Sequence, residues 1–134
     1  QTQGTEFQVR LDLPDPMPLT DVELCTVLGN LLDNAVEACS RQTKGKRRIL
    51  VVGEIRGNMY FLKIENTYDG LILPEEKTFR SRKGTSADHG IGLSSVRRIL
   101  ENHGGDLDLV PGEETFLVGI TIECPFISKS QCVI

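Results

Sequence analysis

Three stretches of this chain carry residues that could do chemistry. In the first, residues 24–38 read Leu-Cys-Thr-Val-Leu-Gly-Asn-Leu-Leu-Asp-Asn-Ala-Val-Glu-Ala. At helical spacing, Leu24, Val27, Leu28, Leu31, Ala35 and Ala38 share one broad apolar face. Glu23, Asn30, Asn34 and Glu37 gather in a narrow arc beside it, because spacings of three, four and seven bring side chains together. Amides and carboxylates next to a core-facing stripe need partners, which either neighbouring loops or a polar ligand can supply. In the second stretch, Ile64-Glu65-Asn66-Thr67-Tyr68-Asp69-Gly70, a strand runs into a polar turn. Asn66 can pair with a base edge there, and Asp69-Gly70 can equally just make the turn. The third is Lys83-Gly84-Thr85-Ser86-Ala87-Asp88-His89-Gly90-Ile91-Gly92-Leu93. A Gly-x-Gly at a helix start frees backbone N–H groups to face an anion, with the helix dipole favouring negative charge. The same pattern also serves as a plain helix cap.

The elements that must position these residues follow from periodicity. Thr5 to Leu13 alternates, with Phe7, Val9, Leu11 and Leu13 on one side, which predicts a half-buried strand closed by Pro14, Pro16 and Pro18. Thr20 with Glu23 three residues on is a capping box, so a helix starts near Asp21 and runs to about Cys39 or Ser40. Lys44-Gly45-Lys46-Arg47-Arg48 is a basic turn. Ile49–Ile55 and Met59–Asn66 form a hairpin around Arg56-Gly57-Asn58. Residues 69–90 show neither period, and a loop of that length inside a domain reads as a lid. Leu93 to about Asn102 is a second helix, stopped by Gly104-Gly105, with His103 as a cap residue. Asp106–Val110 and Thr115–Cys124 make a second hairpin around Pro111-Gly112, with Phe116, Val118, Ile120, Ile122 and Cys124 on one face. Residues 127–134 read as a fraying tail.

Five strands and two long helices, mostly neighbouring in sequence, predict an α/β two-layer sandwich: a mixed, mostly antiparallel sheet with helices on one face. The 134 residues suffice for one domain spanning 1–134. A net charge of −4 argues against a general nucleic-acid or anionic-membrane binder. Nothing approaches a transmembrane length. Cys25, Cys39, Cys124 and Cys132 form no CxxC pair, which fits reduced thiols in a cytoplasmic setting rather than zinc. Gln1 in place of Met suggests a domain excised from something longer.

Taken jointly, Asn30-Leu31-Leu32-Asp33-Asn34-Ala35, the strand ending at Asn66-Thr67-Tyr68-Asp69-Gly70, and His89-Gly90-Ile91-Gly92-Leu93 resemble, in order, the N box and two glycine boxes of sensor histidine kinases. These kinases share the Bergerat-type fold of the GHKL superfamily with gyrase and the mismatch-repair ATPases. The likeness extends from Phe7 to Pro125 and is greatest to the quorum-sensing and citrate-sensing groups. It implies ATP and magnesium bound under the lid, with Asn30, Asn34, Glu37, Asn66, Asp69, Gly70, Lys83, His89, Gly90, Ile91, Gly92 and Leu93 around the nucleotide. Asn34 would ligate the magnesium and Asn30 would support the metal or a phosphate; these two would be the catalytic pair. Gly90, Gly92 and their amides would cradle phosphates, helped by Lys83 and His89. Asn66 would accept the adenine amine.

Departures from the family pattern carry meaning. Asn66 and Tyr68 replace the Asp and first Gly of an Asp-x-Gly-x-Gly box, so adenine is held without a full charge. Glu37 occupies a position that many such kinases give to a phosphate-contacting Lys, and would face the metal or a water. Hydrolytic relatives place a Glu base where this chain has Asn30, and an amide cannot take a proton at neutral pH. The resemblance therefore implies transfer of the γ-phosphoryl group to a histidine on an upstream dimerisation segment, with a cognate response regulator as downstream partner. It also implies a cytoplasmic domain without direct membrane contact, in a full-length protein that can be membrane-anchored. A serine-directed anti-sigma kinase, a hydrolytic ATPase and a degenerate interaction module that binds no nucleotide are the competing readings.

Overall fold

A computed structural model describes residues 4–70 and 91–124 of the chain, with the backbone alone for Ile91. The elements are β1 (Glu6–Leu11), α1 (Asp21–Arg41), β2 (Arg48–Arg56), β3 (Met59–Thr67), α2 (Ile91–Asn102), β4 (Asp106–Pro111) and β5 (Thr115–Glu123). The strands form one sheet in the order β1-β2-β3-β5-β4. β1 runs parallel to β2, and every other pairing is antiparallel. This is the α/β two-layer sandwich that the patterning predicts. Apart from Asp69 and Gly70, the expected lid lies outside the described residues, and so does the expected tail.

α1 forms where its capping box requires. Thr20 Oγ1 accepts from the Glu23 N–H at 3.1 Å, and Glu23 Oε1 accepts from the Thr20 N–H at 2.9 Å. The helix continues to Arg41, slightly past the expected stop. Arg47 folds back to extend it, donating from Nε to the Cys39 carbonyl and from Nη2 to the Gln42 carbonyl, both at 2.7 Å. The Cys39 carbonyl also accepts from the Gln42 N–H at 3.1 Å, so the guanidinium adds a second bond at the end of the helix. α2 stops at the expected glycine, with Gly104 at φ +68° and the Gly105 N–H bonded to the Leu100 carbonyl at 2.7 Å.

The core lies between the helices and one sheet face. α1 contributes Val27, Leu31, Ala35 and Cys39, and α2 contributes Leu93, Val96 and Leu100, all buried. Phe116, Val118, Ile120, Ile122 and Cys124 are buried on the shared face expected of them. Each large apolar side chain removed from water stabilises the fold by about 1.5–3 kcal/mol.

β1 departs from expectation. It is a strand, but none of its residues is half-buried: all six are exposed. Its register sets Phe7 beside Ile49 and Val9 beside Val51, so its apolar side chains do point toward the helix layer. α1, however, lies over β3 and touches β2 only at its margin. Among the described residues the layer stops short of the edge, and alternation alone cannot bury a strand that no described helix covers.

Candidate functional site

The polar arc of α1 faces the start of α2. Asn30 donates from Nδ2 to the Thr26 carbonyl one turn back at 2.8 Å. That bond sets the orientation of its carboxamide and turns Oδ1 toward Gly92, where a β-carbon would stand 2.8 Å from that oxygen. One turn further on, Asn34 makes no hydrogen bond among the described residues and lines a cavity between α1 and the sheet. Two amide oxygens one turn apart, both free to accept, are hard donors of the kind that magnesium takes alongside its waters.

The cavity beside Asn34 is lined by apolar side chains together with Asn34, Arg41, Asn66 and Tyr68. Ile64, Phe116 and Val118 form its floor on the sheet, and Leu31, Ala35 and Leu93 form its walls. Asn66 also lines it, and it is one of only two buried polar residues among those described. Its Nδ2 donates to the Thr67 carbonyl at 3.0 Å, which leaves Oδ1 as an acceptor with no partner among the described residues. A slot between helix and sheet that offers unpartnered amide oxygens suits a ligand that brings hydrogen-bond donors.

The turn after β3 is held from two sides. Tyr68 is buried, meets Phe116 edge-on at 5.6 Å between ring centroids, and donates from its hydroxyl to the Gly112 carbonyl at 2.6 Å. It thereby ties the end of β3 to the β4–β5 hairpin and forms a wall of the cavity. Asp69 accepts from the Thr43 N–H at 2.8 Å and from Thr43 Oγ1 at 2.9 Å. The Thr43 backbone bond, with help from the hydroxyl, holds its carboxyl below the usual aspartate range. Gly70 sits at φ +88°, a left-handed conformation open to glycine without strain.

The structure places Asn34, Asn66 and Leu93 on the lining of one cavity, and it sets Asn30 against Gly92. It turns Asp69 toward Thr43, and it leaves Glu37 on the outer side of α1, two-thirds exposed and 3.9 Å from Arg41. Lys83, His89 and Gly90 lie outside the described residues. Residue reading missed Tyr68 as a wall and Arg41 at the rim, because both depend on contacts made across the fold. His103, read as a cap residue, also reaches Glu23, with Nε2 3.0 Å from Oε1.

The sequence profile of the GHKL domain matches residues 19–123. The chain belongs to the GHKL family. Among characterised GHKL relatives, the sensor histidine kinase CitA of Klebsiella pneumoniae is 32% identical over 99 residues, covering 69% of this chain and 17% of that protein. The sensor protein kinase CarS of Pseudomonas aeruginosa is 33% identical over 131 residues, covering 91% of this chain and 27% of that protein. The chain thus spans about a fifth to a quarter of these sensor kinases. In fold, it superposes on the catalytic domain of histidine kinase ThkA with a TM-score of 0.68 at 20% identity, covering 90% of this chain and 78% of that one. The histidine kinase domain of the blue-light activated kinase from Erythrobacter litoralis EL346 gives 0.69 at 14% identity, covering 92% and 53%. The chain is thus a GHKL domain similar to those of sensor kinases, and among its described residues no helix is long and apolar enough to cross a membrane.

Proposed function

We propose that this GHKL domain binds Mg-ATP between α1 and the sheet and delivers the γ-phosphoryl group to a histidine on another segment of the full-length kinase. The observation carrying this reading is a slot lined by Asn34 and Asn66, whose amide acceptors have no partner among the described residues, with the Asn30 oxygen one turn away turned toward Gly92. Asn66 would receive the adenine amine from the β3 side of the slot. Asn34 would ligate magnesium with Asn30 in support, while amides at the start of α2, around Gly92, meet the phosphates. Bound there, magnesium would neutralise charge across the phosphate chain. Lys83, His89, Gly90 and Ile91 would close on the phosphates, and Glu37 would meet the metal through water. Asp69 and Gly70 would shape the base-side turn.

None of the amides can serve as a base for water. The site is therefore suited to positioning ATP for a nucleophile that needs little activation, such as a neutral imidazole. In this reading an upstream dimerisation segment supplies the histidine, a response regulator takes the phosphoryl group onward, and the domain works on the cytoplasmic side.

Thermal unfolding with ATP, with and without magnesium, tests the nucleotide step. Ligand binding to the folded state alone stabilises it by about 2.7 kcal/mol at a hundredfold excess over Kd. A magnesium-dependent rise in melting temperature is expected. No rise at millimolar ATP would instead make the domain an interaction module that has kept the fold without the ligand.

A further inference from the structure

The two edges of the sheet are built differently. The β4 edge carries Asp106, Asp108 and Pro111, charges and a proline of the sort that keep an edge from pairing with another chain. β1 has no proline and alternates apolar residues along its whole length. Phe7 and Val9 are 51% and 58% accessible. The Glu6 N–H bonds the Arg47 carbonyl and the Asp12 N–H bonds the Gly53 carbonyl, so the even-numbered residues turn their amides to β2. Because amide direction alternates along a strand, the N–H and C=O groups of Phe7, Val9 and Leu11 face the open edge.

We propose that β1 pairs antiparallel with β1 of a second copy of this chain, about a two-fold axis at Gln8, so that the two sheets become continuous. The sequence of β1 is self-complementary in that register. Phe7 meets Val9 of the second copy as a doubly hydrogen-bonded pair, using groups that already face outward. On the opposite face, Glu6 meets Arg10 of the second copy, twice by symmetry, flanking Gln8 against Gln8. Sliding by two residues one way sets Glu6 opposite Asp12. Sliding the other way leaves Arg10 opposite Gly4. Only the central register matches both charge and backbone direction, and it places Phe7 and Val9 of each copy against the other where no described helix covers them.

Sedimentation of the 134-residue chain over a concentration series tests this without nucleotide, so its outcome is separate from that of the kinase reading. Wild type is expected to dimerise reversibly. Arg10→Glu sets carboxylates opposite each other at two places and weakens the dimer roughly tenfold or more. Glu6→Arg does the same from the other side, and Glu6→Arg with Arg10→Glu restores wild-type affinity. Val9→Pro removes an outward N–H while leaving the bonds to β2 intact, and abolishes the dimer. Unchanged melting temperatures confirm that the variants fold, since all three positions are exposed. A wild-type chain that stays monomeric at every concentration overturns the proposal. A dimer indifferent to Arg10→Glu, or one that the double swap fails to restore, also overturns it.

Discussion

Asn30 and Gly92 are packed so closely that a β-carbon on Gly92 would stand 2.8 Å from the Asn30 side-chain oxygen. The Asn30 carboxamide is held by its bond to the Thr26 carbonyl, so the first turn of α2 can come this near only without a side chain. Two motifs separated by some sixty positions of chain thereby meet in direct contact.

Gly92→Ala tests that contact. The atom in the way is the tip of a side chain, so the fold should persist while Asn30 swings out and loses its Thr26 bond, at a cost of about 1 kcal/mol. Denaturant melts should show that small loss. Calorimetric titration with Mg-ATP should show affinity falling by roughly tenfold or more, a larger effect than the stability change.

Asn34→Ala separates ligand from fold more sharply. Asn34 has no hydrogen bond to lose among the described residues, so unliganded stability should change by less than about 0.5 kcal/mol. The magnesium-dependent part of the ATP-induced thermal shift should vanish. A variant that keeps that shift removes the metal role assigned to this amide.

The Glu23 carboxyl gives the fold an acid dependence. The Thr20 backbone N–H, and then His103, hold it below the ordinary glutamate range. A carboxyl depressed in the folded state stabilises it above the ordinary value, and that contribution disappears as pH falls through the folded value. Glu23→Gln should therefore melt below wild type at neutral pH, with the two curves converging in strong acid. A double-mutant cycle with His103→Ala should be non-additive, because the two side chains touch.

Tyr60 supplies the alkaline counterpart. Burial, with the nearby charge of Asp12, pushes its phenol up to about 12, and its hydroxyl donates to the Asp12 carbonyl at 2.7 Å. A phenol raised in the folded state contributes stability below its ordinary value of about 10, and that stability is lost as pH climbs toward 12. Ultraviolet titration of the two tyrosines should show one ionising near 12, coincident with unfolding, and Tyr60→Phe should remove that step. The variant should lose about 1 kcal/mol at neutral pH with the hydrogen bond.

The elements were legible because their determinants are local. Thr20 and Glu23 announce the start of α1, Gly104 announces the end of α2, and the β5 alternation specifies which side chains go inward. The N box and glycine box were legible as motifs, and the fold brings Asn30 and Gly92 together. What could not be read depends on distant partners. Arg47 lengthens α1 by bonding carbonyls it reaches only after a turn, and Tyr68 becomes a wall only because Gly112 returns beside it. Asp69 finds Thr43 across the fold, and His103 finds Glu23 from 80 positions further along the chain. The alternation of β1 was read correctly as a strand, but its burial depended on a helix layer that ends one strand too soon.

α1 is held at both ends by groups that lie outside its own hydrogen-bond ladder. Thr20 and His103 engage its first turn, and Arg47 engages its last. A rod gripped at both ends has a set rotational phase, and its polar arc cannot swing around toward solvent without releasing one of the grips. Asn30 and Asn34 therefore sit on the domain's fixed jaw. Any rearrangement that opens or closes the site must be carried by the parts that face α1, while the helix itself serves as the datum against which they move.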